Sequence, residues 1–371
     1  MRETRTTVDR LGDHGQSVWV DYLSRSLLSD GGLAELIRDG VRGVTSNPTT
    51  FQGAIAEGDA YDEQLRQLPP EIAEPEDVFL ELACRDIRTA CDELLPAWDH
   101  GTGMNGWVSL EVDPHLAYDA EATIAEATRL HAMVDRPNLY VKIPATKPGL
   151  LAIEETIARE IPVNVTLLFS LERHREVGDA YLRGLWRLRE AGGDLRRVAS
   201  VASFFVSRGD SEADRRLERL GGHDELKGSL AIANAKLAYQ TYKELFSGQA
   251  WSELAREGAN AQRCLWASTS TKDPSLRDVR YVEALIGPET IDTMPRETLA
   301  AFLDHGEIAA TLEQDLEDAR TTLEAFEQAG VDYDDLTDTL EREGVKRFAD
   351  SFDALFADVE AKREAMLAGR S

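Results

Sequence analysis

Eight short apolar segments, each followed by a helical pattern, limit what this chain can fold into. Residues 17–21, 43–48, 106–112, 139–146, 162–169, 198–206, 263–268 and 290–294 carry the alternating or continuous apolar character of strands. Between them the spacing predicts helices over 31–39, 60–68, 76–97, 119–134, 150–160, 171–191 and 210–254. Strand and helix in alternation mark parallel βα units, and eight such units close into a (β/α)8 TIM barrel, an α/β fold. No Pro/Ser-rich linker or internal repeat divides the 371 residues. A single domain is therefore expected, with the barrel over about 17–297 and a helical extension over about 298–371. That acidic extension reads as two long amphipathic packing helices, 298–329 and 332–366. Leu312, Leu316, Leu323 and Phe326 line the first; Leu340, Val345, Phe348, Phe352 and Phe356 line the second.

In such a barrel the outward strand face meets helices and should be aliphatic, while inward residues fill the barrel and its mouth. Strand parity tests this. Val18 and Val20 oppose Trp19 and Asp21; Val108, Leu110 and Val112 oppose Trp107, Ser109 and Glu111. Val141 and Ile143 oppose Tyr140 and Lys142, and Val163, Val165 and Leu167 oppose Asn164 and Thr166. On the sixth strand Ala202, Phe204 and Val206 oppose Ser203 and Phe205. Five strands thus keep one aliphatic face and gather their polar residues on the other. Asp21, Asn47, Glu111, Lys142 and Thr166 also fall late in their strands, at the end where barrel enzymes carry their sites.

Lys142 stands out within that set, because the chain has only eight lysines and this one interrupts an apolar strand. A buried ammonium is costly, and losing the proton relieves the cost. The resulting neutral amine is a nucleophile for carbonyl carbon and forms Schiff bases. A Schiff-base iminium draws electrons from a neighbouring C–C bond, so cleavage leaves a neutral enamine. A carboxylate within hydrogen-bond reach must then take the hydroxyl proton, and Asp21 suits that role. Glu111 would exchange protons best if partial burial raised its pKa.

Composition narrows the partners. A net charge of −27 argues against nucleic acid and anionic membranes, although screening beyond about 8 Å leaves room for small anionic substrates at a local cationic site. No apolar run approaches the roughly 18 residues of a membrane span, and the polar first 17 residues carry no signal region, so a cytoplasmic protein is expected. Cys84, Cys91 and Cys264 lack metal-site spacing and the seven histidines are scattered, so no metal is expected. Two further pattern matches are coincidental. Gly101-Thr102-Gly103-Met104-Asn105-Gly106 precedes a strand, whereas the dinucleotide fingerprint follows one. Asn164-Val165-Thr166 matches a glycosylation sequon but lies in a strand that reads as buried.

Thr45-Ser46-Asn47-Pro48, Ser109-Leu110-Glu111-Val112, Tyr140-Val141-Lys142-Ile143-Pro144-Ala145-Thr146, Asn164-Val165-Thr166-Leu167-Leu168-Phe169-Ser170 and Ala267-Ser268 occur in this order. In them the chain resembles the transaldolase family in a longer form, within the class I Schiff-base aldolases, over about residues 18–270. The resemblance implies a transferase that moves a dihydroxyacetone unit between sugar phosphates, without a cofactor, as a monomer or homodimer. It implies Lys142 as the Schiff-base lysine, Glu111 and Thr166 as holders of a catalytic water, and Asp21 as the acid–base group at the C4 hydroxyl. Asn47 and Asn164 would bind the dihydroxyacetone hydroxyls. Ser203, Phe205 and Arg208 match a phosphate-binding serine, a pocket aromatic and a phosphate-binding arginine.

One departure concerns the seventh strand. Many members read A-S-F-R there, whereas this chain reads Ala267-Ser268-Thr269-Ser270-Thr271-Lys272. Ser268 is retained, and Lys272 would supply the charge as a point cation in place of a guanidinium fork. The resemblance also leaves two alternatives open: an aldolase releasing free dihydroxyacetone, and a sugar-phosphate-binding barrel without catalysis.

Overall fold

The computed structural model describes residues 5–100 and 104–368. Gly101, Thr102 and Gly103 of the glycine-rich match, and the first four residues of the N-terminal stretch, lie outside them.

Eight strands form a closed parallel barrel in sequence order: β1 (Gln16–Val20), β2 (Val41–Thr45), β3 (Trp107–Glu111), β4 (Leu139–Pro144), β5 (Val163–Leu168), β6 (Ser200–Phe205), β7 (Arg263–Ala267) and β8 (Thr290–Met294). Closure leaves no sheet edge, and the ring joins through Val18 of β1 opposite Asp292 of β8. The two faces separate as the parity predicts. Val18, Val20, Val108, Leu110, Val141, Ile143, Val163, Val165, Ala202 and Phe204 belong to the core shared with the surrounding helices. Trp19, Trp107, Tyr140, Val201, Phe205, Leu265 and Ile291 fill the interior. There Tyr140 stacks on Trp107 at 4.1 Å between ring centroids and on Trp19 at 6.1 Å. These rings floor the barrel, so the polar residues one step further along each strand stand at the mouth.

Leu167 departs from the predicted parity. It joins the interior cluster, because its φ of +61° turns the chain after Thr166 and the β5–β6 register shifts between Val165 and Leu168. A left-handed leucine inside a strand is uncommon, and here Leu167 and Phe169 both come to lie beside Gly344 of the C-terminal helix.

Three helical expectations also change. β2 ends at Thr45, and Pro48 opens a helix, Pro48–Glu57, in the first position where its missing N–H costs nothing. The region 210–254 divides into helices Ser207–Leu220, Leu230–Leu245 and Gln249–Arg256, the first broken off at Gly221 and Gly222, both with positive φ. The expected helix 298–329 divides into Arg296–His305 and Leu316–Gln328. Leu312 falls between them, fully buried and packed on Gly287, with its N–H donated to the Ile286 carbonyl. The last helix, Tyr333–Ala368, runs as expected, but it crosses the barrel mouth as well as packing beside it.

Candidate active site

A cavity of about 510 Å³ opens at the C-terminal end of the strands. Its lining includes Asp21, Asn47, Lys142, Thr166, Ser203, Phe205, Arg208, Ser268 and Lys272, nine of the residues singled out in the sequence. Glu111 and Asn164 lie just beneath that lining, both buried.

Register explains the convergence. Glu111 of β3 pairs with Lys142 of β4, and Lys142 pairs with Asn164 of β5, so three polar side chains stand in one inward-facing row. Lys142 Nζ donates to Glu111 Oε2 at 3.3 Å and to the Ser46 carbonyl at 3.1 Å. Burial raises the Glu111 pKa, and the attraction of Lys142 opposes that rise without cancelling it. The second carboxylate oxygen, Oε1, and the Thr166 hydroxyl are both buried without a hydrogen-bond partner among the described residues. A buried polar atom left unpaired is costly, so both have capacity for a bound water or substrate oxygen.

Asp21, just past the end of β1, faces the same cavity. Its Oδ1 accepts from Thr45 Oγ1 at 2.8 Å and from Asn47 Nδ2 at 3.3 Å, while Thr45 Oγ1 lies 2.7 Å from Thr293 Oγ1. Asn47 is fixed in turn because its Oδ1 caps the helix Pro48–Glu57, accepting from Thr50 N and Thr50 Oγ1, each at 3.0 Å. Asn164 spends its amide on neighbours: Nδ2 donates to Ser109 Oγ at 3.1 Å, and Oδ1 accepts from Ser203 Oγ at 2.6 Å. Ser203 therefore orients Asn164 as well as lining the cavity.

The cationic end lies beyond Phe205. Arg208 stands 5.4 Å from the Phe205 ring, and burial together with Arg347 lowers its pKa to about 10. Ser268 follows β7 with φ +56° and its hydroxyl lies 3.0 Å from that of Ser207. Lys272 Nζ donates to Ser270 Oγ at 2.8 Å.

Several lining residues escaped the sequence reading. Thr45 lies inside a quoted motif and one register step from Asn47, a signal that was present. Phe348 comes from the C-terminal helix, and its ring lies 5.8 Å from Lys142 Nζ and 6.0 Å from the Arg208 guanidinium. Nothing local to residues 332–366 signals that they reach the barrel mouth. Among the described residues no group of three or more His, Cys, Asp or Glu side chains converges as a metal site would need, and no helix is long and apolar enough to cross a membrane.

The model of the Transaldolase/Fructose-6-phosphate aldolase family matches residues 18–359. The chain belongs to this family. Among the family's curated members, the transaldolase of Acidothermus cellulolyticus is 52% identical over 353 residues, covering 94% of this chain and 95% of that protein. Transaldolase 2 of Streptomyces coelicolor is 49% identical over 358 residues, covering 95% and 96%. The transaldolase of Frankia alni is 49% identical over 356 residues, again covering 95% and 96%. The family match extends through the helix Tyr333–Ala368 as far as residue 359, so the helix over the mouth belongs to the matched region.

Proposed function

We propose that the chain is a transaldolase of the non-oxidative pentose phosphate pathway, acting in the cytoplasm as a monomer or homodimer. It transfers a dihydroxyacetone unit from sedoheptulose 7-phosphate or fructose 6-phosphate to glyceraldehyde 3-phosphate or erythrose 4-phosphate. The observation that carries this reading is the buried Lys142–Glu111 contact at 3.3 Å beside a cavity that also presents Asp21.

Glu111, its pKa raised by burial, takes the Lys142 proton and leaves a free amine. That amine adds to the ketose C2 carbonyl. Glu111 then returns a proton, through a water it shares with the Thr166 hydroxyl, so that the carbinolamine oxygen leaves as water. Asp21 accepts the C4 hydroxyl proton as the C3–C4 bond breaks, and the bonding electrons move into the C3–C2–N enamine. The aldose departs as an aldehyde, a second aldehyde enters, and the steps run in reverse. Asn47 and Asn164 orient the C1 and C3 hydroxyls, while Ser203, Arg208, Ser268 and Lys272 hold phosphate around the Phe205 wall. The whole chain, barrel and extension together, works as one domain.

Borohydride reduction in the presence of fructose 6-phosphate tests the reading. A reduced adduct should map to the peptide holding Lys142; an adduct elsewhere removes the mechanism. The family description also covers fructose-6-phosphate aldolase, the second reading. Fructose 6-phosphate cleavage with and without erythrose 4-phosphate separates the two, because a transaldolase turns over appreciably only with the acceptor.

A further inference from the structure

A second cavity, about 350 Å³, adjoins the first and shares Arg208, Ser268 and Lys272 with it. Its far wall is the C-terminal helix, through Leu340, Gly344 and Arg347. Gly344 lets that helix lie close to the barrel, since a Cβ there would stand 2.9 Å from Leu167 Cδ2. Arg347, one turn further on, lines the same cavity as Arg208 and Lys272.

Three cations from three separate elements now face one another. In a chain of net charge −27 each could have been given a carboxylate. Among the described residues, none of the three is in an ion pair: Glu212 in the same wall is committed to Arg215 and Arg216, and Glu343 bridges to none of them. The cations instead oppose one another. Burial, Arg208 and Arg347 lower the Lys272 pKa, and burial and Arg347 lower that of Arg208. Unbalanced positive charge in a walled cavity is the electrostatic preparation for an anion.

We propose that Arg347 is a ligand of the substrate's terminal phosphate, completing from the C-terminal helix a site that Arg208 and Lys272 begin. This rests on the transaldolase reading for the identity of the ligand, a phosphate monoester dianion. Lys142 Nζ and the Arg208 guanidinium lie 5.8 and 6.0 Å from the Phe348 centroid, so their separation is at most about 12 Å, a span within reach of an extended ketose phosphate tethered at C2. Phe348 is the neighbour of Arg347 on the helix, so one turn supplies both a wall of the sugar channel and the cation at its end. Two guanidinium forks can bind a phosphate bidentately, which one lysine cannot.

Isothermal titration of the full-length protein with inorganic phosphate tests this without any turnover. Arg347 is exposed, so R347A removes no core packing. R347A should weaken phosphate at least about tenfold, as expected for loss of a charge-assisted contact, and R347K should recover part of the loss. R342A, which removes an exposed arginine from the same helix outside both cavities, should leave phosphate affinity unchanged. Wild-type affinity in R347A, or an equal loss in R342A, overturns the proposal, as does a wild-type protein that does not bind phosphate. Phosphate binding that depends on Arg347, in a protein that forms no borohydride-trapped Lys142 adduct with fructose 6-phosphate, would overturn the transaldolase reading and leave the anion site standing.

Discussion

Lys142 and Glu111 are register partners on adjacent parallel strands, and the ends of their side chains meet at 3.3 Å where both are buried at the base of the cavity. In the proposed mechanism Glu111 must take a proton from Lys142 before the amine can attack. K142A should abolish both turnover and borohydride-trapped adduct. E111Q keeps the shape of the side chain but cannot take the proton, so adduct formation should slow by about 10²–10⁴-fold, the usual range for loss of a general acid–base group. Intact-mass measurement of the trapped adduct over time distinguishes the two variants, and wild-type rates in E111Q would remove Glu111 from the mechanism.

The proposed mechanism separates Asp21 from that pair, giving it the substrate hydroxyl and not the amine. Thr45 and Asn47 hold its Oδ1, and the residue lines the cavity. D21N should therefore form the Schiff base yet fail to cleave it, with kcat falling by about 10²–10⁴-fold. The mass of the reduced adduct is the check. In D21N it should correspond to the whole ketose phosphate, and in the wild type to the three-carbon unit. A three-carbon adduct accumulating at the wild-type rate in D21N would place the base elsewhere.

The barrel and most of this constellation are legible in the sequence because parallel strands obey a period of two. Once Val141 and Ile143 face the helices, Lys142 has to face inward, and neighbouring strands bring Glu111 and Asn164 beside it. Leu167 was not legible, since no residue type marks a leucine that will adopt φ +61° inside a strand. Phe348 and Arg347 were not legible for a different reason. Their place in the cavity walls depends on where a helix nearly two hundred residues beyond Lys142 comes to rest, and its amphipathic spacing fits plain packing equally well. Asp292 breaks the parity rule outright, as a carboxylate among the residues of β8 that face away from the interior cluster.

Gly43 is a packing position. A Cβ there would stand 2.5 Å from two ring carbons of Trp19, and Trp19 cannot yield because it is fully buried against Tyr140. G43A should lower stability by about 1–3 kcal/mol, the range for overpacked cores. Gly53, within the helix Pro48–Glu57, has nothing within 4 Å of its Cβ position, so G53A should be neutral or stabilising by up to about 1 kcal/mol. Urea unfolding midpoints of the two variants test the contrast, and equal midpoints would contradict it.

Asp292 is fully buried, and its Oδ1 accepts from Thr269 Oγ1 at 2.9 Å, tying down the segment that follows Ser268. Burial pushes its pKa up to about 7, with the Thr269 bond opposing only part of the rise. An unfolded aspartate titrates near 3.9. Between those two values the folded protein holds a proton that the unfolded chain has lost, so stability is fully present below about pH 4, declines toward about pH 7, and is level above it. The shift of about three units corresponds to at most roughly 4 kcal/mol. D292N keeps an oxygen to accept from Thr269 and cannot ionise. Its stability should match the wild type within about 1 kcal/mol at pH 4.5 and exceed it by about 1–4 kcal/mol at pH 8, measured by urea unfolding at both pH values. All other titrating groups are common to the two proteins, so the difference isolates this carboxyl. Parallel pH profiles would mean that Asp292 is ionised at neutral pH, with a counter-charge supplied by something other than Thr269.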